Sequence, residues 1–281
     1  MPRTVIGVDI GTHSIKAVEL RTGYKGFEVV NCAEIPRSEI QEQPSSGTVP
    51  FSGALHQLFG GISVERQGQP PSGTVPVRKA VVVTALPQAS MRIISLPFRD
   101  ERKIEQVAPY EIEAFIPFSL DDVVVSWHIL GGKVSPIHTD GGLEKASQEG
   151  SEILVAAAQK AALEEFLSQF SQAGIHPRIV DLDAVVPASL YPWTNIGETP
   201  TALLDIGEGK SSITIFSDGH LRFARVISFG GKEITEALGK KAGLTREQAE
   251  EEKIHKGAAE GGYGKIVMES MENLSYQISQ T

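Results

Sequence analysis

Apolar and polar positions along the first twenty residues predict a strand, a turn and a second strand. Thr4-Val5-Ile6-Gly7-Val8 is β-branched and apolar and suits a buried strand, and Asp9-Ile10-Gly11-Thr12-His13 is turn-like. From Ser14 to Leu20 the pattern alternates, with Ile15, Ala17, Val18 and Leu20 apolar and Lys16 and Glu19 polar. Residues 24–35 read as a third strand, so the chain opens a sheet with an antiparallel hairpin pair. Residues 38–76 read as loop around a short helix within 51–66, and Ser-Gly-Thr-Val-Pro recurs at 46–50 and 72–76 as loop composition. Two strands are expected around Leu86-Pro87-Gln88, within 79–98. Ile104, Ala108, Ile112 and Phe115 form one apolar stripe at helical spacing, which predicts a helix from about Asp100 to Phe115 that Pro109 kinks or divides. A strand over 122–131, a Gly/Ser/charge-rich loop or hairpin tip over 138–151, a strand over 152–158 and a helix over 160–173 stopped by Gly174 follow.

The last third repeats the opening logic. Thr201 to Leu204 reads as a strand, Asp205 to Lys210 as a Gly-rich turn and Ser212 to Phe216 as a strand. Asp218-Gly219 then signals a hairpin into 220–228. Helices are expected from about Lys232, over about 245–256, and over 263–281, where Val267, Met271, Leu274 and Ile278 form a stripe that needs a surface to cover. Asp9-Ile10-Gly11 and Asp205-Ile206-Gly207 each follow an apolar strand and precede small polar residues and an alternating strand, 196 residues apart. A glycine in such a turn lets the backbone approach a phosphate, and successive N–H groups and hydroxyls can hold its oxygens. An aspartate at each strand end can hold Mg²⁺ through its waters. Two copies on facing sheets would clamp one nucleotide from both sides. Gly209-Lys210-Ser211 imitates the end of a phosphate-binding P-loop, but Leu204 stands where that motif needs glycine and a strand follows instead of a helix.

Composition narrows the picture. The 281 residues carry 41% hydrophobic and 22% charged side chains, a globular balance for one large or two ordinary domains. Net charge is −9 and no basic cluster occurs, which argues against a general nucleic-acid binder. The single cysteine, Cys32, allows neither an internal disulfide nor a cysteine zinc cluster. No stretch approaches the roughly 18 apolar residues of a membrane span. His128, His138 and His176 are scattered and are not read as metal ligands; Trp127 and Trp193 are read as core or interface, and Glu101, Glu105, Glu111 and Glu113 as an acidic helix face. Lys16 on its alternating strand suits a solvated face, and Glu250 and Lys253 suit a solvated, charged helix.

The paired motifs resemble the actin/chaperone/sugar-kinase ATPase superfamily. Within it, several blocks are similar to FtsA and to the PilM family of type IV pilus assembly: GVDIGTHSIKAVEL, TALPQASMRIISLPF, EIEAFIPFSLDDVVVSWHILG, QAGIHPRIVDLDAVVPASL, ISFGGKEIT and QAEEEKIHKG. The resemblance runs from about residue 4 to about residue 278. It implies an α/β chain with the actin-like ATPase fold, made of duplicated ribonuclease-H-like halves. Residues 1–77 and 161–200 would form the first half, 78–160 an inserted FtsA/PilM-type subdomain, and 201–281 the second half. It implies ATP and Mg²⁺ as ligands, with Asp9 and Asp205 on the magnesium side. Gly11, Thr12, Ser14 and Lys16 would lie around the phosphates, with His13 outside the standard pattern. Gly207, Gly209 and Ser211 would form the second loop, Gly230 and Gly231 would approach the nucleotide at a helix start, and Glu250 and Lys253 would face ribose or base.

The resemblance further implies a cytoplasmic protein held at the bacterial inner membrane. The partner would be a PilN-like membrane protein, gripped through its N-terminal cytoplasmic peptide, and self-association is a further implied contact. Two alternatives stay open: a GspL-like cytoplasmic scaffold of type II secretion with a degenerate nucleotide site, and a small-molecule kinase of the same superfamily. The family pattern continues past the last helix with a strand and a Gly-Gly loop over adenine. Nothing after Ser275 supplies these, so the chain is expected to stop roughly 60–100 residues short of the ordinary domain, leaving the final stripe on an uncovered surface.

Overall fold

The computed structural model of the chain describes residues 3–24, 26–40, 51–62, 80–84, 89–130, 150–189, 200–257 and 263–280. The pentapeptide repeats, Trp193, His138 and most of the 138–151 loop lie outside them. The opening strands form as the alternation predicts. β1 (Arg3–Ile10), β2 (Ser14–Gly23) and β3 (Gly26–Pro36) make an antiparallel meander. Ile6, Val8 and Ile10 of β1 and Ile15 and Ala17 of β2 turn to one face, where α1 (Phe51–Ile62) and α3 (Lys160–Gln172) cover them with Leu55, Leu58, Phe59, Phe166 and Phe170. Strand period places Gly7, Asp9 and Lys16 on the opposite face.

Residues 80–84 correct the sequence expectation. The resemblance implies that they belong to the insert. Instead β4 (Ala80–Thr84) runs parallel to β1, and β8 (Ile179–Asp181) runs parallel to β4, giving a five-stranded sheet in the order β3-β2-β1-β4-β8. The separate three-stranded antiparallel sheet begins only at β5 (Ala89–Leu96), which pairs with β7 (Ser151–Gln159), itself paired with β6 (Val123–Leu130). α2 (Glu101–Glu113) covers that sheet with Ile104, Ala108 and Ile112, all fully buried, and Trp127 packs partly buried against the same core. The helix continues through Pro109, which lies inside it.

β9 (Thr201–Ile206), β10 (Ser211–Ser217) and β11 (His220–Ile227) repeat the opening meander. Both residues of the Asp218-Gly219 turn have positive φ (53° and 78°), the backbone a tight hairpin requires. α4 (Gly231–Ala242), α5 (Arg246–Lys256) and α6 (Gly264–Ser279) pack on this sheet. The stripe on α6 is not left uncovered. Val267 and Leu274 are buried, with Met271 and Ile278 partly so, against Ile213, Ile227 and Leu238. The other face of β10 meets the segment after β8, where Thr214 Oγ1 donates to the Ala184 carbonyl at 2.7 Å. Among the described residues no helix is long and apolar enough to cross a membrane.

Candidate nucleotide site

Two turns of the same shape close the two copies of the repeat. The Gly11 amide donates to the Ser14 carbonyl, and the Gly207 amide to the Lys210 carbonyl, each at 3.0 Å. A Cβ at either glycine would sit 3.0 Å or 2.9 Å from that same carbonyl oxygen, so the turn itself disfavours a side chain there. The turns also meet. A Cβ built on Gly209 would lie 3.0 Å from Thr12 Oγ1. Motifs 196 residues apart in the chain are therefore in contact through Thr12 and Gly209.

Asp9 is the penultimate residue of β1 and stands directly opposite Lys16 of β2. Directly opposed residues point to the same side of a sheet, so carboxylate and ammonium share the face away from the α1–α3 core. Lys16 is exposed and forms no ion pair among the described residues. The first turn is braced by Arg37, whose amide donates to the His13 carbonyl at 2.8 Å and whose Nε donates to the Gly11 carbonyl at 3.2 Å. In the second copy Asp205 stands across from Ser212, which occupies the place of Lys16.

Ser212 Oγ and Asp183 Oδ1 are buried and have no hydrogen-bond partner among the described residues. Asp183 lies along the β10 face that carries Ser212, because its Oδ2 pairs with Lys210 and the next residue accepts from Thr214. Buried polar atoms normally find a partner. Orphaned oxygens beside Asp205 fit a hydrated divalent cation, whose waters donate to such atoms. No three His, Cys, Asp or Glu side chains among the described residues gather to hold a metal directly. Mg²⁺ bound there would supply positive charge against the negative charge of a nucleotide's phosphates.

Other expected site residues are engaged elsewhere. Ser14 is buried and donates to Glu34 Oε1 at 2.5 Å, and Ser211 is buried and donates to the Phe229 carbonyl at 2.7 Å. Neither hydroxyl is left for a phosphate. Gly230 and Gly231 sit against the second turn. The amides of Gly231 and Lys232 donate to the carbonyls of Gly207 and Glu208, each at 2.8 Å. The first amides of α4 thus hold the turn and are not directed to an incoming ligand.

Glu250 and Lys253 come together on α5, but in different roles. Lys253 Nζ donates to Glu250 Oε2 at 2.7 Å, Thr235 Oγ1 at 2.9 Å and the Gly231 carbonyl at 3.2 Å. It ties α5 to the start of α4. Thr235 Oγ1 lies 2.6 Å from Glu250 Oε2 as a donor. Burial alone would raise the Glu250 pKa. The hydrogen bonds from Lys253 and Thr235, the Lys253 charge and a smaller contribution from His13 outweigh it and hold the group below its ordinary value. Glu250 lines a cleft of about 150 Å³ together with Glu208, Lys232, Thr235, Glu236, Gly239 and Arg246. Of these lining residues, only Glu250 is marked out by the sequence. Arg37 and Asp183 carry no local sequence signal, because each acts through a partner far away in the chain, and Ser212 is one serine of an ordinary strand.

The paired turns, the five-stranded sheet and the repeated meander define an actin-like ATPase fold. A sequence model of the family described as Type IV pilus assembly protein PilM matches residues 7–281, and the chain belongs to that family. A solved structure of a PilM-PilN type IV pilus biogenesis complex is similar with TM-score 0.69 and 22% identity, over 98% of this chain and 74% of that one. The ethanolamine utilization protein EutJ from Carboxydothermus hydrogenoformans is similar with TM-score 0.53 and 14% identity, over 100% of this chain and 71% of that one. The cell division protein FtsA of Bacillus subtilis (strain 168) is 32% identical over 97 residues, a stretch that spans 34% of this chain and 22% of FtsA.

Proposed function

We propose that this chain is a nucleotide-binding component of the type IV pilus assembly platform, closing on Mg·ATP between its two matched turns. The observation that supports this most strongly is the approach of Gly209 to Thr12, which brings two turns closed by the same backbone hydrogen bond into contact. Gly11, Thr12 and Lys16 would serve the phosphates from the first side, and Gly207 and Gly209 from the second. Asp9 and Asp205 would hold the hydrated cation. Glu250 would face the ribose, with Lys253 as its positioning residue. The reading divides the chain into a first half (β1–β4, β8, α1 and α3), an insert (β5–β7 and α2) and a second half from Thr201 onward. Binding, not hydrolysis, is the proposed activity, since no side chain is assigned to orient an attacking water.

Closure around the nucleotide would alter affinity for a partner by favouring one arrangement of the halves. The proposed partner is the N-terminal cytoplasmic peptide of a PilN-like inner-membrane protein, which would hold this chain at the cytoplasmic face. Support comes from family membership and from the similarity to a PilM-PilN complex. Fluorescence anisotropy of labelled N-terminal peptides from pilus inner-membrane proteins tests the reading. Saturable one-to-one binding is expected, with affinity changed about fivefold or more by Mg·ATP. Absence of binding to every such peptide, with and without Mg·ATP, would contradict it.

A further inference from the structure

The two turns share a backbone shape but not their charges. Where the first has Thr12, the second has Glu208, and where the first has Ser14, the second has Lys210. Threonine can donate a hydrogen bond to a phosphate oxygen, whereas an ionised glutamate at that place repels it. Glu208 also lines the cleft beside Glu236 and Glu250, so the wall it contributes to is rich in carboxylates. Left alone, this side chain would work against an anionic ligand.

It is not left alone. Arg246 Nη2 meets Glu208 Oε1 at 3.0 Å, and Arg246 lines the same cleft. Arg246 is the first residue of α5 after its N-cap Thr245. A cation in the first turn opposes the helix macrodipole, so α5 itself gains nothing from arginine there. The Glu208 backbone is meanwhile held from the α4 side, its carbonyl accepting from the Lys232 amide at 2.8 Å. The second turn is thus pinned by its main chain to α4 and by its side chain to α5.

We infer that Arg246 is a positioning residue for phosphate binding: it neutralises Glu208 and holds that carboxylate on the α5 side of the cleft, which leaves the second turn able to accept an anion. The inference rests on the nucleotide reading above and adds to it a residue and a charge balance particular to this chain.

The test is a calorimetric comparison of ATP, ADP and AMP, each with Mg²⁺, at low ionic strength. The native chain, Arg246→Ala, Arg246→Lys and the double variant Glu208→Thr/Arg246→Ala are compared. The Arg246 side chain is 68% exposed, so all the variants are expected to melt close to the native chain. Arg246→Ala should weaken ATP on the order of tenfold, ADP less and AMP least, because the unmasked Glu208 charge acts on the phosphates. Arg246→Lys should stay near native, and adding Glu208→Thr, the residue of the first turn, should restore ATP affinity. An equal loss for all three nucleotides in Arg246→Ala would mark a merely structural role and overturn the inference. So would a double variant as weak as the single one. A native chain that binds none of the three overturns the nucleotide reading itself.

Discussion

Gly230 has room for a hydrogen and nothing larger. A Cβ there would fall 2.3 Å from the Glu208 carbonyl oxygen and 2.6 Å from that of Gly207, both main-chain atoms that cannot rotate away. Gly230→Ala should therefore cost about 2–3 kcal/mol, measured by chemical denaturation, and should loosen the second turn from α4. Thr235 is buried where α4 and α5 meet, and its hydroxyl stands between Lys253 and Glu250. Thr235→Val should cost about 1–2 kcal/mol by stripping that partner from two charged groups. Glu250 adds a pH dependence. Burial is the largest single influence and raises its pKa, but the Lys253 and Thr235 hydrogen bonds and the Lys253 charge together outweigh it and lower it. The stability it contributes is present above the ordinary carboxylate value of about 4.3 and is lost as pH falls through the lowered value. The stability gap between the native chain and Glu250→Gln should accordingly shrink on going from neutral pH to about pH 3. A gap that stays constant would mean Glu250 is not stabilised by these partners.

At the scale of elements, capping and periodicity account for most of what the sequence announced. Asp100 caps α2, accepting from the amides of Arg102 at 3.0 Å and Lys103 at 3.1 Å. Asp100→Ala should cost about 1 kcal/mol by urea denaturation and leave nucleotide binding unchanged, since α2 lies on the insert sheet. The hairpins β1–β2 and β9–β10 were legible because one face is buried, and alternation then marks each strand. β4 was not legible in the same way. Ala80-Val81-Val82-Val83-Thr84 is apolar along nearly its whole length, so no polar face says which sheet it joins, and its neighbour β1 lies far back in the chain. The α6 stripe was legible as a stripe, but its partner was not. Periodicity shows that a helix face is buried without naming what buries it, and here the cover is β10, β11 and α4.

At the scale of the whole molecule, the repeat of Asp-Ile-Gly was the clearest functional signal in the sequence, and the fold brings its two copies into contact. The residues that support those copies left no local signature. Arg37 reaches the first turn from beyond β3, Asp183 meets Lys210 from the segment after β8, and Arg246 meets Glu208 from α5. Each is a single charge in ordinary surroundings, informative only once the chain has folded. Ser14 and Ser211 show the converse, since their positions in the motifs suggested phosphate contacts while packing turned their hydroxyls to Glu34 and Phe229. The central claim is that both turns hold one Mg·nucleotide together. Isothermal titration of Mg·ATP into the native chain, Asp9→Ala and Asp205→Ala tests it most directly. The account predicts one site per chain in the native protein, weakened about tenfold or more by either substitution, with each variant folded by circular dichroism. No binding to the native chain, or an affinity that either substitution leaves intact, would contradict it.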